Sequence, residues 1–155
     1  MIQIKYPIAL VTTFIWVGFI CAISFMEAWL KFQAPGITVS LGLEIGRLVF
    51  GALNKVEWAC TIAILASFLI SKGSLVSSNN LLYCIPVFLL VLQTVWLLPA
   101  LDVRAEQYIE GIILPPSYLH FYYIGMEVTK VACLTLFGIS LLKNSDERRS
   151  TTKGN

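Results

Sequence analysis

The sequence predicts an all-α integral membrane protein: a four-helix transmembrane bundle with an additional amphipathic helical segment between spans one and two. Three observations carry this reading. Four apolar stretches recur along the 155 residues, each near the roughly 20 residues that cross a hydrocarbon core. Hydrophobic residues make up 57% of the chain and charged residues 13%, with a mean hydropathy of +0.80; a soluble domain carries about twice that share of charge. The alternating pattern of a barrel strand is absent, which leaves helices as the spanning form.

Span one is expected over residues 6–30. It starts just after Lys5, as a signal peptide would, but its apolar run is long and no clear A-x-A site follows, so it reads as a retained helix. Gln33-Ala34-Pro35-Gly36 breaks it. Val39 to Ser71 then contains no proline, and as one helix it would reach about 50 Å, longer than the bilayer core. Its first half is amphipathic, with Ser40, Glu44, Arg47, Gly51 and Asn54 forming a polar or small stripe. A bent pair is therefore expected, an interfacial segment leading into span two at residues 54–71.

Residues 72–80 form a polar linker. Span three follows over residues 81–98, with a kink expected at Pro86 and an end or bend at Pro99; a polar segment from Asp102 to Glu110 continues outward. Pro115-Pro116 precedes Ser117, which suits an N-cap, and span four covers residues 117–142. Residues 1–143 thus form the transmembrane domain, and the charged, Ser/Thr-rich stretch 144–155 reads as a disordered cytoplasmic tail.

Charge placement orients the chain. Lys5, Lys72, Lys143, Arg148, Arg149 and Lys153 fall in the termini and middle loop, accompanied by only two acids, Asp146 and Glu147. The other half holds seven acids and five bases. This bias favours both termini in the cytoplasm, in the cell membrane. Cys21, Cys60, Cys84 and Cys133 each fall inside a span with no C-x-x-C, so they read as small buried apolar residues.

Polar residues at membrane depth are the candidate site. Ser117, His120, Tyr123, Glu127 and Lys130 share one face of span four. Lys130 lies about 20 Å along the helix from Ser117, where a lone charge costs at least ~2.5–3.5 kcal/mol. Glu127 can offset it at i,i+3, and the face must turn inward. Glu27, Glu57 and Asp102, with Lys55 and Arg104, sit at or just inside the same outer ends. They could converge with the span-four face on one polar cavity, or snorkel to headgroups. Asp102, Glu106 and Glu110 form a row at i, i+4, i+8 that is either solvated or holds a cation. His120 and Glu127 have suitable donor types for a metal, yet His120 is the single histidine and no Glu-x-x-His pair exists, so no metal ligand set is assigned. No nucleophile triad, phosphate loop or dinucleotide fingerprint appears, and no cofactor is assigned. The glycines between Gly42 and Gly51 read as close helix packing.

Several short pieces carry a resemblance to a known family. The small-residue first span runs into Phe32 and Pro35, Leu48-Val49-Phe50 closes the amphipathic stretch, Thr94-Val95 leads to Asp102-Val103-Arg104, and His120 opens span four. In this the chain resembles the transmembrane protein 205-like group of small four-span proteins, whose domain is of unknown function. The resemblance implies a four-span fold and brings no biochemical activity. It has departures: the group's histidine is typically followed seven residues later by asparagine, where this chain has Glu127, and its Asn-containing motif falls where Trp96-Leu97-Leu98 stands here. A more distant likeness in layout is to membrane oxygenases of the anthrone type.

Three functional readings follow. The leading one is a structural, accessory or small-solute-binding membrane component with a buried polar site near the outer side. The second is proton-coupled or ion transport through the polar cluster. The third is a metal-dependent membrane oxidoreductase. The expected partners are the lipid bilayer and, through Gly and Ala faces, a second copy or a membrane complex; no nucleic acid is expected.

Overall fold

The computed structural model describes residues 5–71 and 81–152, with side chains described for 5–71 and 82–143. The polar linker expected at 72–80, like residues 1–4 and 153–155, lies outside the described residues. The described chain contains four helices long and apolar enough to cross a membrane. They are α1 (Pro7–Gln33), α2 (Val39–Ile70), α3 (Leu82–Ile109) and α4 (Leu119–Thr152). Each has a local cause. Pro7 occupies the first turn of α1, where its missing N–H costs nothing. Thr38 caps α2, its side chain accepting from the Leu41 amide at 3.2 Å. The Ser117 hydroxyl accepts from the Leu119 amide at 3.3 Å at the entry to α4. Past α3 the chain turns at Gly111, whose φ of +83° favours a residue with no Cβ.

Three expectations about the helices change. The stretch 39–70 is one continuous helix, so the amphipathic segment exists as the first half of α2 instead of as one arm of a bent pair. With no proline and a favourable cap, nothing interrupts its hydrogen-bond ladder. Likewise α3 passes through Pro99 without ending. A π-helical turn over Gln93–Leu97 precedes that proline, with the Leu98 amide bonding to the Gln93 carbonyl; the wider turn accommodates a ring that an α-helical ladder would reject. A second π-helical turn, Cys21–Glu27, lies inside α1. The last helix continues past Leu142 to Thr152, so the stretch expected to be irregular begins as helix.

Helix α1 packs beside α2 and α4, and α3 packs beside the same two, which makes a closed four-membered ring. The bundle is layered along its axis. At the end holding the first residues of α1, aromatic rings join all four helices. Tyr6 meets Phe68 at 4.6 Å between centroids, Phe68 meets Phe137 at 6.2 Å, and Phe137 meets Tyr83 at 5.2 Å. The Tyr83 hydroxyl also donates to the Thr61 carbonyl at 3.0 Å. Below the rings sits a polar layer, and at the opposite end, where α1 turns into α2 and α3 into α4, the helices part around a cavity. Outward faces are apolar: Ile62, Leu69, Phe88, Val95, Phe121 and Leu136 are each more than half exposed, as side chains facing acyl chains should be.

Candidate functional site

The buried stripe of α4 runs Tyr123, Glu127, Lys130, Leu134, Phe137, Leu141, at alternating steps of four and three. That is the spacing of a packing seam, and it carries Glu127 and Lys130 into the bundle axis with zero exposure. There the Lys130 ammonium donates to Glu57 Oε1 and, at 2.6 Å, to Gln93 Oε1. Its third neighbour is Glu127 Oε1 at 3.0 Å. Gln93 Nε2 donates to the same Glu127 oxygen at 2.9 Å, and Trp16 Nε1 donates to Glu57 Oε1 at 2.8 Å. Every helix therefore contributes to one layer: Trp16 from α1, Glu57 from α2, Gln93 from α3, Glu127 and Lys130 from α4. Two carboxylates share one ammonium, and Glu127 Oε2 is buried without a hydrogen-bond partner among the described residues.

Toward the hairpin end, one thin layer separates these charges from the cavity. Phe50 stacks against Tyr123 at 4.9 Å between centroids. The Thr94 hydroxyl accepts from Asn54 Nδ2 at 2.9 Å and from Trp58 Nε1 at 3.1 Å while donating to the Leu90 carbonyl at 2.7 Å. All its bonding capacity is used. Phe50, Asn54 and Thr94 line the cavity; Tyr123, Glu57, Gln93, Glu127 and Lys130 do not. Tyr123 instead approaches Ser24 of the π-helical turn in α1, 3.5 Å between hydroxyls.

The cavity measures about 960 Å³ and is bounded by the first half of α2, the second half of α3 and the segment leading into α4. Two glycines let its wall close. Phe32 lies where a Cβ on Gly42 would collide with its ring, and a Cβ on Gly46 would stand 3.1 Å from the Lys31 ammonium. Lys31 is held by Glu27 at 3.4 Å and lies over the Phe32 and Phe50 rings at 5.6 and 5.3 Å. Across the cavity Arg47 makes a two-point contact with Asp102, Nη2 to Oδ2 at 3.0 Å. Arg104 donates to the Pro115 carbonyl and ties the end of α3 to the segment before α4.

The polar residues nominated from sequence thus divide into two places. Glu57, Glu127 and Lys130 meet in the axis, with Tyr123 as the lid above them. Asp102 and His120 line the cavity, and Glu27 stands behind its wall on Lys31. Asp102 faces Arg47 while Glu106 and Glu110 are exposed, so the three acids do not act as a unit. Among the described residues no group of three or more His, Cys, Asp or Glu side chains is placed to hold a metal ion. Sequence reasoning missed Gln93 and Trp16. The one signal for Gln93 was a lone amide inside an apolar span, which in a bilayer needs a partner.

Fold and site together define a four-span helical membrane protein with an internal charge layer and a separate cavity lined by apolar and charged side chains. The chain matches no family model, no curated protein and no solved structure.

Proposed function

We propose that this is a non-enzymatic membrane protein that binds a small apolar or amphiphilic solute in the hairpin-end cavity, with the charged layer holding the four helices together. The observation that carries this is the cavity. Its volume lies near the upper end of the ~300–1,000 Å³ typical of small-molecule sites. Its walls pair apolar side chains such as Phe50, Leu98 and Leu119 with polar and charged ones, among them Asn54, His120, Arg47 and Asp102. The charged layer supports a locking role because its members are at most 1% exposed and bond mainly to one another. The Lys/Arg bias supports a cell-membrane protein with cytoplasmic termini, which sets the cavity toward the outer leaflet.

Gly51 provides the test. It lines the cavity, and a Cβ there meets no atom within 4 Å, so a side chain can start there without a clash, and Gly51→Trp is expected to put its ring into the space. Native mass spectrometry of delipidated protein supplied with oleate and with oleyl alcohol should show adducts in the wild type. Gly51→Trp, with unchanged helical circular dichroism, should lose them. Equal adducts in the filled variant would refute binding in this cavity.

A second reading, proton or ion passage, is favoured by one observation: the excess carboxylate and the unpartnered Glu127 Oε2. Reconstituted liposomes test it. Flux driven by a pH gradient and lost in Glu127→Gln would support passage; no flux above empty liposomes would remove it.

A further inference from the structure

The charged layer does not balance. Glu57 and Glu127 bring two negative charges to the bundle axis and Lys130 brings one positive, and none of the three is more than 1% exposed. Lys130 is the only buried base among the described residues. The layer therefore carries one net negative charge where neither water nor a headgroup reaches it, a costly state inside a bilayer. The imbalance falls on one atom. Lys130 and Trp16 donate to Glu57 Oε1, and Lys130 and Gln93 approach Glu127 Oε1. Glu127 Oε2 is buried and has no hydrogen-bond partner among the described residues. One turn back on the same buried stripe stands the Tyr123 hydroxyl, in electrostatic contact with Glu127. Across from it lies the buried Ser24 hydroxyl, in the π-helical turn of α1.

The two hydroxyl oxygens are 3.5 Å apart, longer than a good O–H···O hydrogen bond. That spacing suits two ligands of one ion: oxygens that touch a hard cation at about 2.4 Å and at right angles stand about 3.4 Å apart. We propose that Glu127 Oε2 and the hydroxyls of Tyr123 and Ser24 bind one monovalent cation of the size of sodium as a resident ion of the charged layer. Three oxygens with no nitrogen or sulfur among them select a hard cation. A single positive charge makes the layer neutral, whereas a divalent ion would leave it positive by one. Lys130 sits on Oε1 and the ion on Oε2, so the carboxylate separates the two cations. The remaining ligands are water or carbonyls of the π-helical turn, a local geometry that recurs at functional sites, as interrupted helices do at sodium sites within membranes. The inference rests on neither reading above, because a resident ion needs no occupant in the cavity and no passage across the bilayer.

The test titrates sodium chloride against choline chloride at constant ionic strength, on the whole protein in a neutral detergent with no amphiphile added. Binding of radioactive sodium and the unfolding temperature are read together. The wild type should bind one sodium ion per chain, saturably, and its unfolding temperature should rise along the same curve. Glu127→Gln removes both a ligand and the excess charge, and should abolish both responses. Tyr123→Phe keeps the ring that stacks on Phe50 and deletes only the hydroxyl; it should weaken sodium binding by about tenfold, the worth of one contact to a charge. Ser24→Ala should do the same. These two variants keep the proposal testable if Glu127→Gln does not fold. Glu106→Gln, an exposed acid at the hairpin end, should change nothing. No saturable sodium binding in the wild type overturns the proposal. Binding that survives in Glu127→Gln and in Tyr123→Phe places the ion elsewhere and overturns the site. Tighter saturation by potassium or calcium than by sodium overturns the choice of ion. Stability that follows pH and ignores sodium assigns the missing positive charge to a proton, and overturns the proposal equally.

Discussion

An ammonium group at the centre of four helices must find its charge balance inside the protein, and Lys130 finds it in Glu57, Glu127 and the Gln93 carbonyl oxygen. Removing the cation leaves two buried carboxylates facing each other. Lys130→Met is therefore expected to destabilise the protein by about 3–5 kcal/mol, the cost of breaking a buried ion pair from one side, measured by unfolding in detergent. Glu127→Gln is a different case. Its oxygen can still accept from Gln93 and Lys130, and Glu57 remains to balance the lysine, so the loss should stay below about 1.5 kcal/mol. The triple change Lys130→Met/Glu57→Gln/Glu127→Gln removes every charge and should recover most of the stability lost in Lys130→Met. Trp16→Phe deletes one hydrogen bond to Glu57 and should cost about 1 kcal/mol. The α4 half of this layer was legible in the sequence, because Glu127 and Lys130 sit at i,i+3 in a span where nothing else excuses them. Trp16 and Gln93 were not legible: one resembles any membrane tryptophan and the other lies in an apolar run.

At the scale of the helix, sequence periodicity describes one element well and the register between elements poorly. The amphipathic stripe of residues 40–54 was visible, but its helix is continuous with span two, and only its Arg47, Gly51 and Asn54 line a cavity that α3 completes from another part of the chain. That relation depends on the π-helical turn at Gln93–Leu97 and on the passage through Pro99, and no spacing rule announces either. The close packing read for the glycines on the same face holds for two of them, Gly42 under Phe32 and Gly46 under Lys31, whereas Gly51 faces open space in the cavity. Gly42→Leu should push Phe32 off α2 and part α1 from α2 at the hairpin end. Overpacking of this kind costs about 1–3 kcal/mol, and the same unfolding titration reads it.

For the molecule as a whole, four spans put both ends of the transmembrane domain at one side, and the Lys/Arg distribution supports the cytoplasm as that side. In a cysteine-free background, a cysteine at Ile113, which is 98% exposed at the hairpin end, should react with an impermeant maleimide on intact cells. One at Lys143 should react only after lysis. The reverse pattern would invert the orientation. On the proposed reading the layered architecture separates two tasks: rings and charges fix the helices over most of the bundle, and the end where the helices part holds a ligand. Chain composition made the four spans plain, whereas the split of the polar residues between axis and cavity arises only when helices are set side by side. The separation of tasks is tested most directly by the increase in unfolding temperature that saturating oleate produces. Wild type and Glu127→Gln should show the same increase, although their starting stabilities differ, and Gly51→Trp should show none. An increase abolished by Glu127→Gln and retained by Gly51→Trp would contradict the account, because it would place the ligand in the charged layer.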